Sequence, residues 1–202
     1  MYSRAQLESR DDRPTEDHVV LMSGVTWEDY ERLLEIRGDK SSPRFTYLEG
    51  VLEIMSPSRD HETIKSLIGR LVEVYCLERG ILFMPVGSWT LKEPREERGV
   101  EPDECYVFGA ADADRPHLAI EVVWTSGRLD KLEVYRKLGV QEVWYWQKGR
   151  IQPHALRGGR YEAIDSSEVL PGLDLDLLTK FLDRPTAYDA IRDFRAVLTA
   201  RP

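Results

Sequence analysis

Cysteine and long apolar runs are scarce in this chain. Only Cys76 and Cys105 occur among its 202 residues, so neither a disulfide framework nor a cysteine-based zinc site is expected. Charged residues interrupt each apolar stretch well before the roughly 18 residues that a membrane span requires. Residues 1–17 are rich in Arg and Asp and lack the apolar core of a secretory signal. We therefore expect a cytoplasmic protein with reduced thiols and no membrane partner.

Several common catalytic motifs are also missing. The sequence has no phosphate loop, no dinucleotide-binding glycine fingerprint, no Gly-x-Ser-x-Gly elbow and no His-Glu-x-x-His zinc motif. Its four histidines are scattered, which is typical of surface or structural residues. His61 is the best placed of them for a functional role, because it opens the longest predicted helix.

The net charge of −8 argues against a protein that coats nucleic acid non-specifically, because such binding depends on many Lys and Arg contacts to phosphate. It does not exclude a nuclease, since metal-binding carboxylates add negative charge and a local basic face can coexist with them. One third of the chain concentrates basic residues, namely Arg128, Lys131, Arg136, Lys137, Lys148, Arg150, Arg157 and Arg160. This run is either a basic face or an ordinary solvated surface.

Length and apolar content favour a single core. We expect a flexible leader at 1–17, one domain at 18–184 and a C-terminal helix at 185–202. Apolar periodicity predicts helices at 26–37, 60–79, 127–138, 176–182 and 186–199, strands at 81–86, 88–92, 103–108, 117–124 and 142–146, and hairpins at 45–55 and 151–164. This order is typical of an α/β protein of the α+β type, with a mixed β-sheet flanked by helices and added hairpins and helices at both ends.

Two carboxylates stand out because they lie in apolar strand sequence. Asp103 precedes Cys105-Tyr106-Val107-Phe108, and Glu121 interrupts a run of apolar residues. A buried carboxylate is costly unless it is paired or bound to a cation. The two lie 18 residues apart, a spacing that allows neighbouring strands to bring them together. Bound Mg²⁺ or Mn²⁺ would offset their mutual repulsion; two separate salt bridges are the alternative.

Several segments together carry a family resemblance. Three lie in the middle of the chain: Gly99-Val100-Glu101-Pro102-Asp103, Ala119-Ile120-Glu121-Val122-Val123, and a helix with Lys131 and Tyr135 that ends at Gly139-Val140-Gln141-Glu142-Val143-Trp144. Earlier in the chain lie Tyr47-Leu48-Glu49-Gly50, Met55-Ser56-Pro57 and His61. In this spaced combination, residues 22–182 resemble the Uma family, within the PD-(D/E)XK nuclease superfamily. The resemblance implies a restriction-endonuclease-like core and metal-dependent hydrolysis of phosphodiester bonds. Nucleic acid is then the expected partner, with DNA favoured over RNA, while self-association as a homo-oligomer stays open.

One departure from the superfamily pattern concerns its lysine, which is expected two residues after Glu121, where this chain has Val123. On a helical wheel with Leu129 at 0°, Lys131 falls at about 200°, within the apolar arc. We therefore predict that Lys131 points toward the sheet and supplies the missing cation. The alternatives are that its ammonium reaches solvent while its stem covers the core, or that Arg128 takes the role.

The resulting hypothesis is a metal site formed by Asp103, Glu121 and the backbone carbonyl of Val122. Lys131 would orient the attacking water or stabilise charge on the phosphate. Glu49, in the first hairpin, would add a contact to the metal or to one of its ligands, unless it is an ordinary turn residue; Glu101 is a weaker candidate for the same task. Two other classes stay open, a nuclease-like fold that only binds or regulates and a glycosidase with a carboxylate pair, which needs no metal.

Overall fold

A computed structural model of the protein describes residues 16–109, 113–124 and 129–200. Within these ranges the chain forms five helices, α1 (Trp27–Arg37), α2 (Arg59–Arg79), α3 (Lys131–Leu138), α4 (Leu175–Thr179) and α5 (Ala187–Ala200). The strands are β1 (His18–Ser23), β2 (Arg44–Leu48), β3 (Val51–Ser56), β4 (Phe83–Pro85), β5 (Leu91–Glu93), β6 (Arg98–Val100), β7 (Glu104–Phe108), β8 (Leu118–Val122), β9 (Glu142–Gln147), β10 (Arg150–Arg157) and β11 (Arg160–Ala163). None of these helices is long and apolar enough to cross a membrane.

The strands form two sheets. The first is antiparallel, in the order β1-β3-β2-β6-β5. The second has the order β11-β10-β9-β8-β7-β4 and is mixed, because β8 and β9 are parallel and α3 connects them. The expected α+β architecture, with a mixed sheet flanked by helices, is confirmed. The first hairpin extends beyond its predicted form, because β1, β5 and β6 join it to make a separate sheet.

Alternation along β8 divides the core around the mixed sheet into two layers, and a third cluster packs α1 against the first sheet. Leu118, Ile120 and Val122 pack with α2 and α5 on one face of the mixed sheet. Ala119 packs on the other face with α3, β5 and β6. Since side chains alternate between faces along a strand, Glu121 points to the same side as Ala119. That side is where α3 and the first sheet meet the mixed sheet.

Local signals explain the helices that sequence periodicity anticipates. Thr26 and Asp29 form a capping box at the start of α1, and Ser58 caps α2 by accepting a hydrogen bond from the His61 amide. Asp130 caps α3, and Gly139 ends it in a left-handed conformation that glycine adopts without the steric cost of a Cβ. Positions 127–128 of the predicted third helix lie outside the described residues.

Two strands were not anticipated from the sequence. All but one residue of β1 is exposed. Its apolar residues stand next to one another in the sequence, so they lack the apolar-polar alternation that marks a half-buried strand. β6 is only three residues long and includes Gly99.

The division at residues 17 and 185 remains a prediction. Asp17, however, accepts a hydrogen bond from the Ser58 amide, and Phe194 of α5 is buried in the main core.

Candidate active site

Asp103 and Glu121 face each other across β7 and β8. The antiparallel register pairs Glu104 with Ile120, and continuing it by one residue places Asp103 opposite Glu121. Each residue is only 1% exposed. The backbone amide of Val122 donates a hydrogen bond of 2.7 Å to Asp103 Oδ2. The two carboxylates that the sequence singles out therefore share one buried location.

Asp103 is surrounded by cationic groups from distant parts of the chain. The Arg44 guanidinium, on β2, donates to Asp103 Oδ1 at 2.6 Å. His61 Nε2, in the first turn of α2, lies 2.9 Å from Asp103 Oδ2, and the two groups form an ion pair when the imidazole is protonated. Burial acts to raise the pKa of Asp103, but Arg44, His61 and Lys131 outweigh it and hold the pKa well below its usual range. Asp103 is therefore an anion.

The His61 ring lies between two carboxylates. Its Nδ1 is 3.0 Å from Asp17 Oδ2, on the side opposite Asp103. Burial acts to lower the pKa of His61, but Asp103 and Asp17 outweigh burial and raise the pKa from 6.5 to about 9. At neutral pH the imidazole is consequently protonated, and Asp103 has two cations beside it.

Glu121 has a different set of partners, both from α3. Lys131 Nζ donates to Glu121 Oε2 at 2.5 Å, and the Tyr135 hydroxyl donates to Oε1 at 2.5 Å. Burial and the charge of Asp103 raise the pKa of Glu121, against the opposing effect of Lys131. Glu121 thus holds its negative charge less firmly than Asp103 does.

The short helix α3 explains how Lys131 and Tyr135 reach the same carboxylate. They are four residues apart, so they lie on one face of the helix. Burial acts to lower the pKa of Lys131, but Glu121, Asp103 and Glu53 raise it, so the ammonium stays charged. The predicted orientation of Lys131 toward the sheet is confirmed by its contact with Glu121. Its proposed rival Arg128 lies outside the described residues.

The first hairpin contributes a different carboxylate from the one that the sequence favoured. Glu49 occupies the turn, with φ of 44°; its side chain is 63% exposed and pairs with Arg98 at 2.8 Å. Glu53, on β3, is 1% exposed. Its Oε2 accepts a hydrogen bond of 3.0 Å from the Leu129 amide, and its charge acts on Lys131. Glu53, and not Glu49, is the hairpin carboxylate that faces the cluster.

Sequence reasoning passed over Glu53 although a signal was present. In β3 it lies between Leu52 and Ile54, so it meets the criterion that identified Glu121, a carboxylate within an apolar strand. Glu101 is also buried, but its carboxylate is occupied by Arg37, the Phe45 amide and the Thr90 hydroxyl.

The oxygen donors of this cluster suit a hard divalent cation, which prefers carboxylate and carbonyl ligands. A carboxylate oxygen has two lone pairs, so Asp103 and Glu121 keep acceptor capacity beyond their present contacts. Glu53 Oε1 is buried and has no hydrogen-bond partner within the described ranges. In those ranges no three His, Cys, Asp or Glu side chains converge as a metal site.

Comparison with known proteins agrees with this fold. A crystal structure described as a putative nuclease belonging to DUF820, from Anabaena variabilis, superposes with a TM-score of 0.50 at 14% sequence identity, over 86% of this chain and 99% of that one. Comparison with curated proteins gives no match. Residues 27–182 match the Uma2 family, whose description is "Putative restriction endonuclease". Because this match spans most of the sequence, the chain belongs to the Uma2 family.

Proposed function

We propose that this protein is a metal-dependent endonuclease that hydrolyses phosphodiester bonds in DNA. The observation that carries the proposal is the buried pair of Asp103, directly before β7, and Glu121, on the adjacent strand β8, with the Lys131 ammonium 2.5 Å from Glu121. Membership in a family described as restriction endonucleases supports the same reaction class.

Asp103, Glu121 and the carbonyl of Val122 would hold Mg²⁺ or Mn²⁺. Such an ion polarises the scissile phosphate and lowers the pKa of a bound water. Asp103 suits this role because Arg44 and His61 keep it ionised at neutral pH. Tyr135 fixes the second carboxylate by its hydrogen bond to Glu121 Oε1, which orients Oε2 toward Lys131.

Lys131 would act on the water or on the phosphate. Its ammonium lies 2.5 Å from Glu121 Oε2, and a charge held in a buried site stabilises developing negative charge more strongly than one in water. Glu53 would assist indirectly, by fixing the Leu129 amide just before α3 and by keeping Lys131 charged. Glu53 is thus a positioning residue.

We place this activity in the cytoplasm, where the two free, buried cysteines would remain reduced. Cleavage of both strands of a duplex would require two active sites. We therefore propose that the protein cleaves duplex DNA as a homo-oligomer.

A non-catalytic binding module is the second candidate, and one observation favours it. Arg44, His61 and Lys131 already pair with the buried carboxylates, so the cluster is close to charge balance without a metal ion. Such a protein would bind nucleic acid without cleaving it.

The test is a cleavage assay with purified protein on supercoiled plasmid, linear duplex and RNA, in Mg²⁺, Mn²⁺ or EDTA. We expect cleavage of DNA that requires added metal. Cleavage that persists in EDTA would contradict the metal-dependent mechanism, and binding without cleavage under all conditions would establish the binding module.

A further inference from the structure

A cavity of about 610 Å³ lies between the first three turns of α2 and the start of α5. Arg59 and Arg70 line it from α2, and Arg184 lines it from the segment before α5. Because 11 residues make about three helical turns, Arg59 and Arg70 project from the same face of α2. All three side chains are exposed, so the cavity opens to solvent as a groove with arginines along it.

The charge of this groove contrasts with that of the whole protein. Three arginines line it, whereas the net charge of the chain is −8. Arg184 also pairs through Nε with Asp193 at 3.1 Å, which occupies one of the five N–H donors of its guanidinium. Its carboxylate, Glu62, is already paired with Arg44 at 2.7 Å and with Lys65 at 2.8 Å. The guanidinium group presents a planar set of donors that matches the oxygens of a phosphate. The groove therefore favours an anion with phosphate groups.

A single side chain connects the groove to the candidate active site. The Arg44 guanidinium donates from one nitrogen to Asp103 and from the other to Glu62, and Glu62 is part of the groove wall. An anion in the groove is thus separated from Asp103 by one arginine. A ligand long enough to occupy both places would be a chain of phosphates and not an isolated phosphate ion.

We propose that this groove binds the phosphate backbone of a nucleic-acid strand and guides that strand to Asp103 and Glu121. The inference rests on the proposed function, because it assigns a substrate path to the same site. Arg70 and Arg184 would each contact a backbone phosphate. Neither contact would read the base sequence, since phosphate contacts position a strand without specifying it.

Binding can be measured without cleavage, by fluorescence anisotropy of labelled single-stranded and duplex DNA with wild-type protein in EDTA over a series of salt concentrations. The test variants are Arg70→Gln and the double variant Arg70→Gln/Arg184→Gln. Arg195→Gln is the matched control, because Arg195 is an exposed arginine of α5 that pairs with Glu78 and does not line the groove. Arg184 also lies over the Phe181 ring, 5.2 Å from its centre, so Arg70→Gln tests the groove without disturbing that contact.

We expect the double variant to bind DNA at least about tenfold more weakly than wild type at moderate salt. The slope of log affinity against log salt should fall by about one for each arginine removed, while Arg195→Gln matches wild type. Unchanged affinity in the double variant, or no DNA binding by wild type, would overturn the inference. Inorganic phosphate that binds at the groove as tightly as DNA would also overturn it, since the groove would then be a small-anion site.

The two proposals fail in different ways. If the double variant showed metal-dependent cleavage with an unchanged KM, the groove would not be the path of the substrate, and the proposed nuclease activity would still stand. If DNA binding depended on the groove arginines but no cleavage occurred, the proposed nuclease activity would be wrong, and the groove would be the nucleic-acid surface of a binding module.

Discussion

The two carboxylates of the candidate site are neighbours with opposite environments. Asp103 lies beside Arg44 and His61, and its pKa is lowered. Glu121 accepts a hydrogen bond from the Lys131 ammonium, and its pKa is raised by burial and by Asp103. Environments that push the pKa values of paired acids apart are common where the two acids have different tasks. Asp103 is suited to be a permanent anionic ligand, and Glu121 to share its charge with Lys131.

The candidate site has two halves, Glu121 with its partners and Asp103 with its partners, and the two differ in where those partners lie in the sequence. Lys131 and Tyr135 follow Glu121 by 10 and 14 residues, on a helix that starts soon after the strand. Arg44 precedes Asp103 by 59 residues and reaches it from the other sheet. The Glu121 half is local in sequence, and the Asp103 half depends on tertiary assembly.

The largest effect is expected from neutralising either carboxylate. Asp103→Asn and Glu121→Gln preserve side-chain volume but remove the charge that would bind the ion, so cleavage should fall by at least about 10³-fold. Circular dichroism and thermal unfolding would check that each variant keeps its fold. If either variant cleaved DNA at the wild-type rate, its carboxylate would have no part in the reaction.

Replacement of Lys131 should have the next largest effect. Lys131→Ala removes the cation beside Glu121, and we expect turnover to fall by about 10²-fold, the cost typical of losing one electrostatic group, with a smaller change in metal affinity. Lys137→Ala is the control on the same helix, since Lys137 pairs with Glu96 at the surface. Steady-state cleavage and Mn²⁺ titration would separate the two quantities. Equal turnover in the two variants would show that Lys131 is not the active-site cation and would favour Arg128 in that role.

The Asp103 half should also produce a pH-dependent stability. The pKa of His61 is about 9 in the folded protein and 6.5 when unperturbed, so its stabilising effect is complete below pH 6.5 and is lost as the pH rises through 9. The free energy of unfolding of wild type, relative to His61→Gln, should therefore decline over this window, by up to about 3 kcal/mol. Denaturant unfolding in EDTA from pH 6 to 9.5 would measure this decline.

A second histidine provides the control for that experiment. Burial lowers the pKa of His154 below its usual value of 6.5, so the stability of wild type relative to His154→Gln should not decline as the pH rises from 6.5 to 9. A difference between wild type and His61→Gln that stays constant from pH 6.5 to 9 would show that His61 is not held charged by Asp103 and Asp17.

The smallest of these effects concerns the hairpin. Glu53 raises the pKa of Lys131, so Glu53→Gln should lower that pKa, and the alkaline fall in the rate of cleavage should begin at a lower pH. We also expect a loss in turnover of about tenfold at pH 8. Glu49→Gln, in the exposed turn, should match wild type in both respects. A loss of turnover without a displaced pH profile would give Glu53 a purely structural role.

The sequence predicted the Glu121 half of the site better than the Asp103 half for a physical reason. Helical periodicity is local, so the phase of α3 was sufficient to turn Lys131 toward the sheet. Arg44 and Asp17 gave no comparable signal, because their importance depends on how the first sheet and the start of α2 meet β7. Glu53 was within reach of sequence reasoning, since its apolar neighbours mark it as a buried carboxylate, whereas the turn position of Glu49 marks exposure.

The fold was predicted to a similar extent. The long helices follow from apolar periodicity, and the mixed sheet follows from the order of strands and helices along the chain. The separate antiparallel sheet does not, because β1 is largely exposed and β6 is very short, and neither carries a clear period.

The central claim is that Asp103 and Glu121 bind a divalent cation. The most direct test is a crystal structure of the protein soaked in Mn²⁺, with anomalous difference density recorded at a wavelength where manganese scatters strongly. We expect a peak within contact distance of a carboxylate oxygen of each residue, roughly 2.0–2.6 Å as for hard cations, and no such peak in a crystal of Asp103→Asn. Density elsewhere in the molecule, with Asp103 and Glu121 still bound to Arg44, His61, Lys131, Tyr135 and the Val122 amide as in the present structure, would contradict metal binding at this pair.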